Sequence, residues 1–364
     1  VTAAILYLHN RPVPSDEANS VAVMNMCGAF ARAGREVRLT TFGGRSAGDP
    51  FNNYGLKPDF EVRRLGNLEG PLAYPALLMA GLIGKPKNAV VYTRIPRLAV
   101  YAMRLGRRVV LEMHYPIRET RKGGWAADRL KGDALLGMVV TNAALEREVR
   151  SELPRYGGPV IVAPTGSADF SQGRASPEPF PVPFDVGFVG SFYKGRGVEL
   201  VFELARRFPS RRFLMIGGPD EARETFAHTA PPNLVLRPQV PSRDIAQVLA
   251  SFVVGLAPYA QSIEIANSPI DTARWMSPMK LIEYLSAGKV IVASRLPAVE
   301  ELIEDEVNGL LAAPGDVDGW AAALERVFKH PHLRRSLSEA ARARFTAGLS
   351  WDSRAQLILG KLGL

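Results

Sequence analysis

Two cycles of alternating apolar strands and helical segments, one on each side of a proline-rich stretch, constrain this chain more than any other feature of its sequence. The first opens with a strand at Ala3 to Leu8, a helix at Ser20 to Ala33 closed by Gly34, and a strand at Glu36 to Thr41, one right-handed crossover unit. Further strands are expected at Ala89 to Thr93, Arg108 to Met113, Leu136 to Thr141 and Val160 to Ala163. From Asp169 to Phe184, Pro177, Pro179, Pro181 and Pro183 favour extended backbone and deny both helix and central strand, so the segment reads as a linker. The second cycle places strands at Val186 to Val189, Phe213 to Ile216, Leu234 to Leu236, Val253 to Ala257 and Val290 to Ala293, with helices at Val198 to Arg207 and after Ser277. Parallel sheets flanked by helices give this alternation, and 364 residues exceed what one core organises. The expected fold is therefore α/β: two Rossmann-like domains, 1–170 and 185–349, joined by a linker at 171–184 and facing each other across a cleft. Doubly wound sheets bind ligands at their open carboxyl ends, and the site is expected in that cleft.

The charge-free apolar run Ala73 to Gly84 is broken by Pro75 and falls short of the ~20 residues a membrane-spanning helix needs. No basic segment precedes the first strand as in a secretory signal, so the expectation is a cytoplasmic protein that could lie against the inner face of the membrane. The single cysteine, Cys27, falls on the apolar stripe of the first helix with Val23 and Phe30, as expected for core packing. The net charge is +9, and between Arg94 and Lys131 ten Lys or Arg stand against three acids. The stretch lacks regularly interleaved aromatics and any zinc-finger or RNA-binding pattern, which argues against a nucleic-acid face. An anionic acceptor or an anionic lipid surface fits it better, and a solvated surface is the plain alternative.

The segment Ser277-Pro-Met279-Lys280-Leu-Ile-Glu283 to Ser294 is a complete helix sentence. Ser277 reads as N-cap, Pro278 as first helical residue and Gly288 as the residue just past the end, followed by a buried strand. A helix start at the mouth of a site suits a phosphate, and Lys280 adds a full charge there. Lys280 and Glu283, three apart, share one face; an exposed ion pair is the plain alternative.

These residues resemble the family 4 glycosyltransferases. Gly190-Ser-Phe-Tyr-Lys-Gly-Arg196-Gly197, Val307-Asn-Gly, Pro314-Gly-Asp316 and Ser350-Trp351-Asp-Ser-Arg354 extend the likeness, and Glu112-Met-His114 and Pro164 to Phe170 carry it more loosely in the first half. The resemblance implies a retaining, metal-independent hexosyltransferase of the GT-B fold with a UDP- or GDP-sugar as donor, no cofactor, and a sugar, lipid-linked or small-molecule acceptor. It also implies that the closing helix, 350–364, rejoins the N-terminal domain. By the same likeness Glu283 takes the ribose hydroxyls, Arg196 and Lys280 neutralise the diphosphate, and His114 faces the donor sugar. Asn19, Ser20, Gly190, Gln239, Val240, Ser277 and Met279 fall at the family's donor-binding positions. The first loop, His9 to Asn19, is long for its place, which suggests function. Two positions depart from the pattern: Trp275 stands where the family has an acid, and Ser191 follows Gly190 where an Arg is frequent. Asp316-Val-Asp318 imitates a metal-binding pair, but Asp318 reads as a helix cap and no metal is expected. A nucleotide-sugar 2-epimerase of the same fold and a non-catalytic nucleotide-sugar-binding protein are the competing readings.

Overall fold

The computed structural model describes residues 3–15, 17–43, 48–66, 68, 70, 72–120, 122–171, 183–265 and 268–364. Pro177, Pro179 and Pro181 of the expected linker, and Arg121 of the basic stretch, lie outside the described residues. The chain forms two compact units, 1–166 with 351–364, and 167–350.

Unit 1 runs β1 (Ile5–Pro12), α1 (Ala18–Arg32), β2 (Val37–Phe42), α2 (Pro50–Tyr54), β3 (Glu61–Leu65), α3 (Ala73–Leu82), β4 (Val90–Thr93) and α4 (Pro96–Arg104). It continues with β5 (Arg108–Met113), α5 (Gly123–Ala127), β6 (Leu135–Val140), α6 (Ala143–Glu152) and β7 (Val160–Val162). Among the described residues its strands form one parallel sheet in the order β3-β2-β1-β4-β5-β6-β7. Strand order reverses between β1 and β4, the switch point at which doubly wound sheets open a crevice. Val91, Val110 and Leu111 are fully buried because helices cover both faces of such a sheet.

Two expectations fail here. β1 continues to Pro12, where it pairs with Phe42, and α1 starts at Ala18, so the long first loop shrinks to 13–17. The polar His9 and Asn10 read as loop, yet they extend a strand. The first helix is also buried nearly all round, from Ala22 to Phe30, including Cys27, so it carries no narrow apolar stripe.

Unit 2 comprises β8 (Phe184–Val189), α7 (Val198–Arg207), β9 (Phe213–Ile216), α8 (Asp220–Ala227), β10 (Leu234–Arg237), α9 (Ile245–Ala250) and β11 (Phe252–Ala257). A two-stranded antiparallel ribbon, β12 (Glu264–Ile265) and β13 (Ser268–Asp271), precedes α10 (Met279–Ser286), β14 (Val290–Ser294), α11 (Pro297–Glu300) and β15 (Leu310–Ala312). The unit closes with α12 (Val317–Lys329) and α13 (Pro331–Thr346), after which α14 (Trp351–Leu362) belongs to unit 1. The described strands form a parallel sheet in the order β10-β9-β8-β11-β14-β15, reversing between β8 and β11. Side chains alternate across it: Leu214, Ile216, Ile291 and Ala293 join one core, and Phe213, Met215, Val290 and Val292 the other. The expected linker overruns by one residue, since Phe184 is buried and already paired with Phe252.

No helix among the described residues is long and apolar enough to cross a membrane.

Candidate functional site

In unit 2 the carboxyl ends of β8 and β11 and the start of α10 converge at the switch point. α10 begins at Met279 with Pro278 as its N-cap, and no side chain caps it. The expectation that Ser277 caps and Pro278 is the first helical residue is therefore corrected by one position. The far end is as the sequence suggests, with Gly288 left-handed at φ +62° after Ala287.

Lys280 falls in the first turn and is buried, at 9% exposure. Its Nζ lies 3.9 Å from the centroid of the Phe188 ring and 4.8 Å from that of Tyr259, and it has no hydrogen-bond acceptor. It is therefore no exposed ion pair with Glu283. Burial, and then the nearby Arg196, hold its ammonium well below the usual lysine range, with Glu283 acting in the other direction. Gly190, just past β8, has φ +152°, and a Cβ there would lie 3.1 Å from Nζ. The lysine thus occupies space that only glycine leaves open.

Arg196 sits between Gly195 and Gly197. Gly197 has φ +79°, and a Cβ on it would collide with the Pro258 carbonyl at 1.8 Å, while the Gly195 carbonyl accepts from Ala260 N at 3.0 Å. This close approach to the segment after β11 places the Arg196 guanidinium 5.8 Å from the Tyr259 ring centroid, with its Nε buried and without a partner. Glu283, partly buried one turn along α10, has its carboxyl pushed up to about 7 by burial, against the pull of Lys280. Its neighbour Tyr284 accepts from Val189 N at 3.0 Å and donates to the Leu256 carbonyl at 3.4 Å, tying β8 to β11 at the reversal. Two cations without carboxylate partners and an unsatisfied carboxyl are thereby held on a rigid frame, an arrangement suited to a polyanion bearing hydroxyl groups.

The structure therefore brings together Gly190, Arg196, Lys280 and Glu283. Ser277 and Met279 flank the start of α10, both half-buried. Gln239 and Val240 follow β10, two strands from β8; Gln239 is exposed and Val240 packs on the core. Trp275 is half-buried in the turn before α10, its backbone N–H donating to the Thr272 carbonyl. The helix cap read at Asp318 belongs to Asp316, whose carboxylate accepts from Gly319 N at 3.0 Å. Asp318 lies inside the first turn and pairs with Arg207. Among the described residues no group of His, Cys, Asp and Glu is placed to hold a metal.

In unit 1 a second cluster occupies the carboxyl ends of β4 and β5. Glu112, buried, meets His114 Nε2 at 2.7 Å, Arg354 Nη1 at 3.2 Å and Arg94 Nε at 3.5 Å, and accepts from the Tyr92 hydroxyl. Against the cost of burial, Arg354 and then Arg94 hold its carboxyl well below the usual range. Arg94 also reaches the Asn19 side-chain oxygen and His114 Nε2. Burial, then Arg94, lower the His114 pKa to about 4, so the ring is neutral at pH 7. One tautomer donates Nε2–H to Glu112; the other accepts there from Arg94, and Nδ1 takes the complementary role. Asn19 and His114 are thus joined through Arg94. Ser20 is turned inward, donating to the Pro12 carbonyl at 3.1 Å and accepting from Ser15 at 2.8 Å.

Arg94, Arg354, Phe188 and Tyr259 were not among the residues read from sequence as the site. Arg94 follows directly on the strand ending at Thr93, so a cation at a strand's carboxyl end was the available signal. Arg354 lies 242 positions from its carboxylate, a separation that no local pattern bridges. The basic stretch itself disperses: Arg94 enters the cluster, Arg104 and Arg129 stack on Trp125, and Arg107 reaches the Pro86 carbonyl.

Residues 183–330 match the family described as glycosyl transferases group 1. The D-inositol 3-phosphate glycosyltransferase of Mycobacterium marinum is 23% identical over 185 residues, 48% of this chain and 37% of that protein. The putative teichuronic acid biosynthesis glycosyltransferase TuaH of Bacillus subtilis is 26% identical over 145 residues, 39% of this chain and 34% of its own length. These matches span well under half the length of either relative. A glycosyltransferase from Rickettsia africae superposes with a TM-score of 0.73 at 14% identity, covering 100% of this chain and 98% of that one. Anabaena Alr3699/HepE, solved with UDP and glucose, gives 0.72 at 13% identity over 98% of this chain and 99% of its own. At such identity these structures establish the shared fold.

Proposed function

We propose, for a chain that belongs to the glycosyl transferases group 1, that it transfers a sugar from a nucleoside diphosphate sugar with retention of anomeric configuration. The observation that carries this reading is the buried Lys280 ammonium, without an acceptor, beside Gly190 and near Arg196 at the switch point of unit 2. Burying an amine and a guanidinium with no ion-pair partner is costly, and a diphosphate supplies the missing charge. As the bond from the sugar to the diphosphate breaks, negative charge grows on the leaving group. Fixed cations that grip it more tightly at that moment lower the barrier, with no metal required.

Glu283 offers only acceptors when ionised and takes the ribose hydroxyls, with Ser277, Met279, Gln239 and Val240 lining the nucleotide's place. His114 and Asn19 of unit 1 serve the sugar and acceptor; Ser20, whose hydroxyl is engaged by Pro12 and Ser15, acts by holding the start of α1.

Calorimetric titration with UDP and GDP tests the donor site, and release of the free nucleoside diphosphate from matching sugar donors in EDTA tests the reaction. At least one nucleotide is expected to bind, and turnover should persist in EDTA. Lys280→Met and Arg196→Met should each lower kcat as well as affinity, by ~2–4 kcal/mol in kcat/KM. Binding of neither nucleotide, or equal binding by the variants, would overturn the assignment.

A further inference from the structure

The cluster at the carboxyl end of the unit 1 sheet carries more positive charge than it balances. Glu112 contributes one negative charge, Arg94 and Arg354 two positive ones. His114 is neutral at pH 7, and so is His9, which is buried within β1 with Nε2 unpartnered and its pKa lowered to about 3. Burial raises the Tyr7 and Tyr92 hydroxyls well above their usual range, so they add no charge. No second carboxylate among the described residues lies within salt-bridge distance of Arg94 or Arg354.

Three residues beyond Arg94, Arg97 adds another cation at the start of α4. Its guanidinium stacks 5.3 Å from the Tyr74 ring centroid and reaches the Tyr101 hydroxyl at 3.4 Å, while its Nε is buried and unpartnered. The Tyr74 hydroxyl in turn accepts from Asn10 at 3.4 Å, one residue after His9. Arg94, Arg97 and Arg354 against Glu112 thus leave about two positive charges unbalanced at this end of the sheet, beside the reversal of strand order between β1 and β4. The Arg94 side chain keeps 15% of its surface open and that of His114 22%, so solvent reaches the cluster.

Guanidinium chemistry narrows what would neutralise it. Of the five N–H groups of Arg94, one on each of Nη1, Nη2 and Nε faces Asn19, His114 and Glu112. One N–H on each Nη is left, a fork matched to two oxygens of an oxyanion. A phosphate monoester carries about −1.5 to −2 charges near neutral pH, which matches the excess better than a carboxylate does.

We propose that this end of unit 1 binds a phosphate monoester carried by the acceptor, with Arg94 as its forked partner and Arg97 as a second cation. The role as acceptor rests on the transferase reading above; the phosphate site itself does not. To keep the two separable, the full chain is first saturated with whichever of UDP and GDP binds, which occupies the cations of unit 2. It is then titrated by calorimetry with inorganic phosphate, glucose 6-phosphate and glucose.

Glucose 6-phosphate and phosphate are expected to bind and glucose to be silent. Arg94→Met should weaken phosphate binding at least tenfold, Arg94→Lys by less, because a lysine restores the charge without the fork. Arg97→Met gives an independent second reading should Arg94→Met fold poorly, and is expected to weaken binding severalfold. Flotation with vesicles of phosphatidic acid against phosphatidylcholine distinguishes the source. Arg94-dependent capture by the former, with glucose 6-phosphate inert, would place the phosphate on a lipid. Absence of phosphate binding in every arm, or binding unchanged in both Arg94→Met and Arg97→Met, would overturn the proposal. Failure of both UDP and GDP to bind would count against the transferase reading alone, since the phosphate titration is still read.

Discussion

Glu283 is held in a state that serves a ligand at the expense of the free protein. Its carboxyl is raised from 4.5 to about 7, so the folded form holds the proton more tightly than the unfolded chain does. The stability it lends is therefore greatest at low pH and is lost as pH rises from 4.5 through 7. Glu283→Gln keeps the shape and removes the charge; at pH 8 it should stabilise the fold by about 1–3 kcal/mol, with the gain shrinking towards pH 4.5. The same variant should weaken nucleoside diphosphate binding, because an amide offers one acceptor where a carboxylate offers two. Urea unfolding at the two pH values, beside a nucleotide titration, checks both halves. A variant that binds nucleotide normally would remove Glu283 from the ribose, and one that is less stable at pH 8 would show that the carboxylate is well satisfied in the free protein.

Among the elements, α14 carries the strongest single dependence. Arg354 donates to the Pro164 carbonyl at 2.8 Å and to Met26 Sδ at 3.1 Å besides pairing with Glu112, so one side chain joins α1, β5 and the segment after β7. Arg354→Met would leave a buried carboxylate with Arg94 as its remaining guanidinium partner, and breaking such a pair typically costs about 3–5 kcal/mol. The urea midpoint should fall accordingly, with hydrogen-exchange protection lost in α1 and β5; a loss below about 1 kcal/mol would mean that Arg94 suffices alone. The sequence shows where such an element lies more readily than what it does. Central strands carry uninterrupted apolar runs, such as 90–92 of β4 and Phe213–Ile216 of β9, as parallel strands buried on both faces must, and α10 carries its stop signal at Gly288. The strand Glu61–Leu65 lies at the sheet edge with no residue fully buried, so no apolar pattern marks it. Asp316 and Asp318 are equally good caps by composition, and only backbone geometry chooses between them. The same holds for the site: Lys280 and Glu283 are legible from their helix, whereas the aromatic floor of Phe188 and Tyr259 is brought to them from β8 and the segment after β11.

Across the whole molecule, His9 and His114 of unit 1 and Glu283 of unit 2 respond to pH in opposite senses. In unit 1, burial lowers His9 to about 3 and His114 to about 4, so both stay neutral in the fold while the unfolded chain takes up protons near 6.5. The stability they lend is full above that range and is lost as pH falls towards their folded values. Between pH 7.5 and 5 each could remove at most about 2 kcal/mol from unit 1. Glu283 works the other way in unit 2: acidification across its raised value relieves a buried charge and stabilises the fold. Asp169, lowered to about 2, and Lys289, lowered to about 8, keep their folded-state charges over most of this window. A global unfolding curve would average these opposite slopes and show little. Hydrogen exchange followed by mass spectrometry, corrected for the intrinsic effect of pH, resolves them because it reads opening segment by segment. Protection of β1, β4 and β5 should fall between pH 7.5 and 5, and protection of β8, β11 and α10 should hold or rise. The double variant His9→Phe and His114→Gln should flatten the first response and leave the second, and Glu283→Gln should do the reverse. Parallel responses in both units would show that other groups dominate, and that neither the neutral histidines of unit 1 nor the raised carboxyl of unit 2 governs acid stability.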